Sequence, residues 1–320
     1  MFKYHTALIV IKDINDFPKL SYPVVSVGRF DGVHKGHQKL LQRIKTIANK
    51  KQGQSIVVTF DPGPEEVLFE KSKDEVKLLN TLEEKIDLLE EWGMDYLVVI
   101  PFSIDFSRTT SFEFVKRILA NKLGVKEYVM GYANQYGYDR SGDFLLMNKL
   151  AKQHNFLVNE VAMEDVHKKG VSSIQIRKYL LEGNIPAANN FLGYSYQMTG
   201  MVVKGNQIGR TLGFPTANID VKERYKHKLM PSGVYVVAVK LNKDSYFGMA
   251  NIGYRPTIRL SHHELTAEVN IFDFNKDIYG QYISICFLEK IREEVKFDGK
   301  EKLKEQLSLD KKMATKYLLS

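Results

Sequence analysis

The chain has 320 residues, of which 44% are hydrophobic and 26% charged, with a formal net charge of +8 and a single cysteine. That composition excludes wholesale disorder, and one thiol excludes a disulfide framework and a cysteine-based metal site, which fits a reducing cytoplasm. The length suits about two domains, and the lysines are dispersed, so charge alone selects neither nucleotides nor nucleic acid as the partner.

Taken in order, the N-terminal MFKYHTALIVIKDIND has an apolar patch too short for a signal peptide and far too short for a bilayer span, so no membrane partner is expected. Val24–Val27 and Ser55–Phe60 are short, β-branched runs that predict strands buried on both faces, and Tyr96–Ile100, Glu127–Met130 and Phe156–Val161 continue the series. Between them Gln38–Lys51, Thr81–Trp92 and Ser111–Leu123 carry apolar residues at helical spacing, as in Leu82, Ile86 and Leu89, with Thr81 placed as an N-cap. Strand and helix in alternation predict a parallel sheet with covering helices. Beyond about residue 185 the pattern changes. Gly200–Val203, Gly233–Leu241, Tyr246–Ile252, Leu265–Phe272 and Tyr282–Leu288 predict a small antiparallel barrel or sandwich, and Lys300–Leu318 a charged terminal helix. The expected division is 1–185 and 186–320, with a linker near Gly183–Gly193. Cys286 lies in an apolar run and is expected in the core.

The stretch GRFDGVHKGH, residues 28–37, follows the first of these strands and precedes a helix, the position where open parallel sheets bind ligands. Its glycines allow a ligand close to the backbone, and the helix start offers free N–H groups to an anion. His34 and His37, three apart, share one face of the turn and can donate to phosphate oxygens as charge develops. Read from the residues alone, the pair remains open between a phosphate grip, a metal site lacking a nearby third ligand, and a solvated loop. Neither a Walker loop nor a G-x-G-x-x-G fingerprint occurs.

GRFDGVHKGHQKLL, VVTFDPGPEEVL and VSSIQIRKYLLEGNI together resemble the ordered motifs of the bacterial riboflavin kinase/FAD synthetase family, over nearly the whole chain. The resemblance implies an α/β nucleotidyltransferase-like domain, Rossmann-like with a parallel sheet, followed by an all-β riboflavin-kinase barrel with a terminal helix. It implies that His34 and His37 bind ATP phosphates while FMN attacks, that Gly28, Asp31, Gly32 and Gly36 shape the nucleotide site, and that Ser172, Ser173 and Arg177 hold phosphates from the other side.

The chain departs from the family pattern at several points. Arg29 stands where asparagine is usual, Gly63 interrupts a Pro-His-Pro, Tyr132-Ala133-Asn134 follow Gly131 where a Gly-x-Asp-Phe segment is usual, and Ile174 replaces a threonine. Each lost charge-assisted hydrogen bond costs about 1.5–3 kcal/mol. Two readings follow: a two-activity enzyme making FMN and then FAD, or a riboflavin kinase with a degenerate first domain. A nucleic-acid-binding module has no recognition motif behind it, and no nucleic-acid partner is expected.

In the second half GNQIGRTLGFPTANI, residues 205–219, matches the family's G-R-x-L-G-F-P-T-A-N segment. By resemblance Gly205, Gly209, Arg210 and Gly213 fold over the phosphates of ATP, the co-substrate. Thr216 and Asn218 offer oxygens to Mg²⁺, a hard ion that prefers such donors. MANIGYRPT and LTAEVNIFDFNKDIYG also match, and Glu268 is implied as the base for the riboflavin hydroxyl. That role requires the carboxylate at the barrel mouth. Asn270 stands where histidine is common. IREEVKF places Arg292 as a flavin-binding or fold-supporting residue.

Overall fold

The computed structural model describes residues 7–68, 77–131, 142–161, 171–205, 207–221, 225, 227–256 and 263–319. The chain divides into two compact units, Met1–Ser173 and Ile174–Ser320.

In the first unit β1 (Ile9–Ile11), β2 (Pro23–Val27), β3 (Gln54–Phe60), β4 (Tyr96–Ile100), β5 (Glu127–Gly131) and β6 (Leu157–Val161) form one sheet. The order is β1-β4-β3-β2-β5-β6, and every pairing is parallel. Around the sheet run α1 (Lys35–Lys50), α2 (Pro64–Leu68), α3 (Leu82–Glu91), α4 (Ile104–Ser107), α5 (Ser111–Glu113) and α6 (Phe144–Gln153). The valine-rich strands are covered on both faces, so Val25, Ile56, Val58 and Val98 are fully buried beside Leu119 and Met147. β2 is flanked by β3 on one side and β5 on the other, so the strand order reverses there. Ligands of open α/β sheets bind at that switch, beyond the carboxyl ends of the strands.

Three local expectations change. Ile9–Ile11 is an edge strand paired with β4. α1 starts at Lys35, ahead of the expected Gln38, because the His34 side chain caps it. The expected helix over 111–123 is α-helical only through Glu113 and continues as a π-helix, Phe114–Lys122, closed by a Leu123 N–H bond to the Ile118 carbonyl.

The second unit opens with most of α7 (Ser173–Leu181) and with α8 (Ile185–Leu192). The predicted linker at Gly183–Gly193 is therefore a helix. Ile185, Ala188, Phe191 and Leu192 are buried, Asn184 caps its start, and Asn189 ties it to the Phe287 carbonyl at 2.8 Å. Glycines at both ends give the look of a linker; the apolar spacing between them decides the outcome. Next come β7 (Gln197–Val203), α9 (Ile208–Thr211), β8 (Ala217–Asp220), β9 (Gly233–Leu241), β10 (Asp244–Pro256), β11 (His263–Ile271), β12 (Tyr282–Arg292) and α10 (Lys300–Leu318). The strands close into a barrel in the order β10-β11-β8-β7-β12-β9, all antiparallel. Closure leaves no open sheet edge. Cys286 is buried in β12, as expected.

α10 packs on β9, β10 and β12 and is fixed there by one buried ion pair. Arg292 Nε and Nη2 donate to Asp310 at 2.9 and 2.6 Å, and Gln306 donates to the same carboxylate at 2.9 Å. Asp310 is fully buried. Removing one member of such a pair strands the other charge. Asp310→Ala is expected to lower the stability of the second unit by about 3 kcal/mol in denaturant unfolding, and α10 is expected to fray first in hydrogen exchange.

Candidate functional site

The first site is built on the turn that leaves β2. Phe30, Gly32 and Val33 take positive φ of 48°, 80° and 38°. For a β-branched valine that conformation is a true outlier, held here because the Phe30 and Val33 side chains are buried under the turn. The Leu79 backbone and the Asn80 side chain, just ahead of α3, complete the grip. Asp31 Oδ1 accepts the Leu79 N–H at 2.8 Å, and Gly32 N–H donates to Asn80 Oδ1 at 2.6 Å. Ser173 Oγ donates to the Asp31 carbonyl at 2.9 Å. Asp31 and Gly32 therefore organise the turn, while Gly28 starts it and Gly36 lets the His34 ring lie against the helix start.

His34 and His37 stack with ring centroids 3.8 Å apart and planes 16° from parallel, and Phe30 packs on His37 at 5.0 Å. His34 accepts the His37 N–H as the cap of α1. His37 Nδ1 is buried with no hydrogen-bond partner among the described residues. Burial first, and then the ionisable neighbours His34, Lys85 and Arg29, hold the His37 imidazole well below its ordinary pKa, so the ring is neutral.

The sequence reading missed the groups behind this turn. Lys85 is buried in α3 and donates to Thr59 Oγ1 at 3.2 Å, and Thr59 donates to the Arg29 carbonyl at 3.1 Å. Asn80 Nδ2 is a second buried polar atom with no partner among the described residues. A signal was available: Lys85 falls three after Leu82 and four before Leu89, on the stripe read as apolar. Among the departures, Gly63 is buried with its N–H on Glu66 at 2.6 Å, and Ile174 is exposed. Ala133 and its neighbours Tyr132 and Asn134 lie outside the described residues. Ser172 precedes Ser173 in the first unit, whereas Arg177 lies in α7 within the second.

The second site lies on the barrel. Antiparallel register sets Glu268 opposite Asn218 on β8 and opposite Asn251 on β10. Residues directly opposed have Cβ atoms about 5 Å apart on one face. Thr216 lies just ahead of β8, and with Ala217 and Val269 it lines the cavity beside the preceding loop. Gly205 abuts the Asn218 amide: a methyl there would lie 2.2 Å from Nδ2 and 2.5 Å from Oδ1. Gly209 comes as close to the Phe214 carbonyl, and Phe214 N–H returns to the Gly209 carbonyl at 2.9 Å. Gly213 follows α9 at φ 85°. Asn270, in the place of the family's histidine, is buried and donates to the Pro215 carbonyl at 2.7 Å, pinning the loop to β11.

A cavity of about 450 Å³ opens beside this loop, lined by Arg210, Thr216, Val269, Lys276 and Tyr279 among others. Val269 alternates with Glu268, so the carboxylate is on the other face of β11 from that wall. Sequence reasoning did not single out Asn251 or Glu294. Asn251 Nδ2 donates to Glu294 Oε1 at 3.1 Å, extending the polar row past Glu268. Arg292 gives its donors to Asp310 and to the Glu293 carbonyl, and its guanidinium lies over Phe297. These are contacts of the fold. Among the described residues no three His, Cys, Asp or Glu converge on a metal-sized site, and no helix is long and apolar enough to cross a membrane.

Comparison with known proteins divides along the same line. Residues 17–175 match the FAD synthetase family model and residues 192–318 the riboflavin kinase model. The bifunctional riboflavin kinase/FMN adenylyltransferase of Buchnera aphidicola subsp. Schizaphis graminum is 37% identical, over 96% of this chain and 98% of that protein. The proteins of the same description from Listeria monocytogenes and Bacillus subtilis are 39% and 37% identical, over 90% and 92% of this chain and equal shares of theirs. A crystal structure from Streptococcus pneumoniae, described as a macrolide-efflux protein, superposes with a TM-score of 0.83 at 34% identity, covering 97% of this chain and 99% of that one.

The neutral His37 has a measurable consequence. Unfolding exposes an imidazole that takes up a proton below about pH 6.5, while the folded ring does not. The unfolded state then binds more protons, so stability falls as pH drops through that window. Unfolding followed by Trp92, the single tryptophan and a residue of the first unit, is expected to show a steeper loss between pH 7.5 and 5.5 in the wild type than in His37→Gln.

Proposed function

The chain belongs to the bifunctional riboflavin kinase/FMN adenylyltransferase family, and on that premise we propose which of its residues carry each reaction. The protein phosphorylates riboflavin to FMN and adenylylates FMN to FAD, with ATP as the second substrate of both steps; a kinase-only reading does not account for the match over residues 17–175.

The assignment of the kinase chemistry to the barrel is carried by one observation, the register that opposes Glu268 to Asn218. Glu268 takes the proton of the riboflavin 5′-hydroxyl as its oxygen attacks the γ-phosphorus of ATP. The bond from that phosphorus to the bridging oxygen breaks, and ADP leaves. Gly205, Gly209, Arg210 and Gly213 line the phosphate chain, with the Arg210 guanidinium as the positive charge. Thr216 and Asn218 offer a hydroxyl and an amide oxygen, and the missing methyl at Gly205 leaves the amide its room. Such a donor set fits Mg²⁺, which keeps few protein ligands and takes the rest from water and phosphate. When bound, the ion supplies neutralisation of the phosphate charge. Asn270 holds the loop in place. Arg292 serves α10.

In the first unit an FMN phosphate oxygen attacks the α-phosphorus of ATP, the bond toward the β-phosphate breaks, and pyrophosphate leaves. The charge gained lies on phosphate oxygens, and His34 and His37 meet it with imidazole N–H donors fixed in advance by the turn. Ser172 and Ser173 belong to the same end of the sheet. Gly28 and Gly36 allow the ligand and the rings their close approach, while Asp31 and Gly32 maintain the turn.

Product chromatography separates the two assignments. With riboflavin, ATP and Mg²⁺, Glu268→Gln is expected to lose FMN formation by about 10²-fold or more, yet to convert supplied FMN to FAD normally. His37→Ala is expected to do the reverse. FMN formation by Glu268→Gln at the wild-type rate would falsify the assignment of the base. Gly205→Ala is expected to raise the Mg²⁺ concentration needed for half-maximal kinase activity while leaving FAD formation unchanged.

A further inference from the structure

Lys85 is a buried ammonium that neither reaction above has used. Resting on the assignment of adenylyl transfer to the first unit, we propose that Lys85 is a positioning residue of that site, bracing the histidine turn through Thr59 and the Arg29 carbonyl. Among the described residues its one hydrogen bond is to Thr59 Oγ1, at 3.2 Å. Thr59 is itself fully buried at the carboxyl end of β3, and its hydroxyl sits between a donor and an acceptor.

A hydroxyl has one proton. With the ammonium pointing an N–H at the oxygen, that proton has only the Arg29 carbonyl to go to, 3.1 Å away. Arg29 is the residue before Phe30, where the strained part of the turn begins. Two more rungs, Leu79 N–H to Asp31 and Gly32 N–H to Asn80, reach the turn from the segment leading into α3. The charged lysine thus fixes the direction of the first of three rungs. A neutral amine could accept instead, and the hydroxyl would be free to turn away from the carbonyl.

The same charge bears on the histidines. His37 is faced by His34, Lys85 and Arg29, all of them lowering its proton affinity after burial itself. Lys85 is faced by Asp31, Asp61 and Glu66, which favour its charge, and by Arg29 and burial, which oppose it. Asp61 in turn is faced by Lys85, Glu83 and Lys12. Burial and the Arg29 guanidinium draw Lys85 down from the ordinary lysine range, and the three carboxylates pull it back toward the charged form.

The test compares Lys85→Met, Lys85→Arg and Thr59→Val in the full chain, with kinase turnover as a control for the second unit. The probes are FAD formation against pH and the His37 imidazole titration by NMR. Lys85→Met is expected to lower kcat for FAD formation by about tenfold or more, with a smaller change in KM, and to raise the His37 titration midpoint by about one pH unit. Lys85→Arg is expected to restore both. Thr59→Val, which keeps the charge and breaks the rung, is expected to lower kcat by roughly three- to tenfold with the His37 midpoint unmoved. FAD formation at the wild-type rate in Lys85→Met, or an unmoved imidazole titration there, overturns the proposal. Should Lys85→Met not fold, wild-type kcat in Thr59→Val overturns it. If the wild type makes no FAD, the assignment of adenylyl transfer falls, while the imidazole titration still decides the role of Lys85.

Discussion

A β-branched valine at φ 38° is a conformation the backbone abandons unless something stronger holds it. At Val33 the holding force is burial, with its own side chain and that of Phe30 wedged beneath the turn, joined by hydrogen bonds to Asp31, Gly32 and Ser173. The rest of the first unit depends on that constraint. It ends β2 at the reversal point of the sheet, starts α1, and brings two imidazoles into a parallel stack. Strain of about 1–3 kcal/mol per residue persists where the surroundings over-determine it, and here it fixes donors before any substrate binds.

The proposed site of the second unit is placed by another rule. No strained residue places Glu268; the period of two in an antiparallel ladder does. One step along β11 carries Val269 to the cavity wall and turns Glu268 to the row it shares with Asn218 and Asn251. A slip of one residue would exchange the two faces, so the register is itself part of the proposed site. It is pinned by close approaches only glycine permits, at Gly200 against Ile219 and at Gly248 against Asn270, and by the Asn270 amide on the Pro215 carbonyl. Asn270 stands where the family pattern has histidine, and it is this amide N–H that makes the bond.

The alternation of valine-rich runs with helical spacing made the parallel sheet legible, and the short strands of the second half made the barrel legible. The histidine pair and the glycine-rich segment were legible as motifs because their chemistry is local in sequence. What stayed hidden was of two kinds. Residues 183–193 have glycines at both ends, and only the depth of β12 beneath them shows that the stretch is a packed helix. Lys85, Thr59, Asn80, Asn251 and Glu294 act through partners far away in the chain, and a single sequence carries no record of such pairings. Arg292 shows the same limit, since nothing near it in sequence announces Asp310 eighteen residues on.

The cap at the start of α1 has a protonic side. His34 Nδ1 receives the His37 N–H, so that nitrogen must keep its lone pair, and the neutral ring is left as the tautomer whose proton rides on Nε2. An imidazolium at 34 would present a hydrogen to a hydrogen, and the first turn of the helix would lose its anchor. Secondary structure and tautomer are thus written in the same nitrogen atom: while His34 Nδ1 caps α1, the other ring nitrogen of the neutral imidazole is the donor.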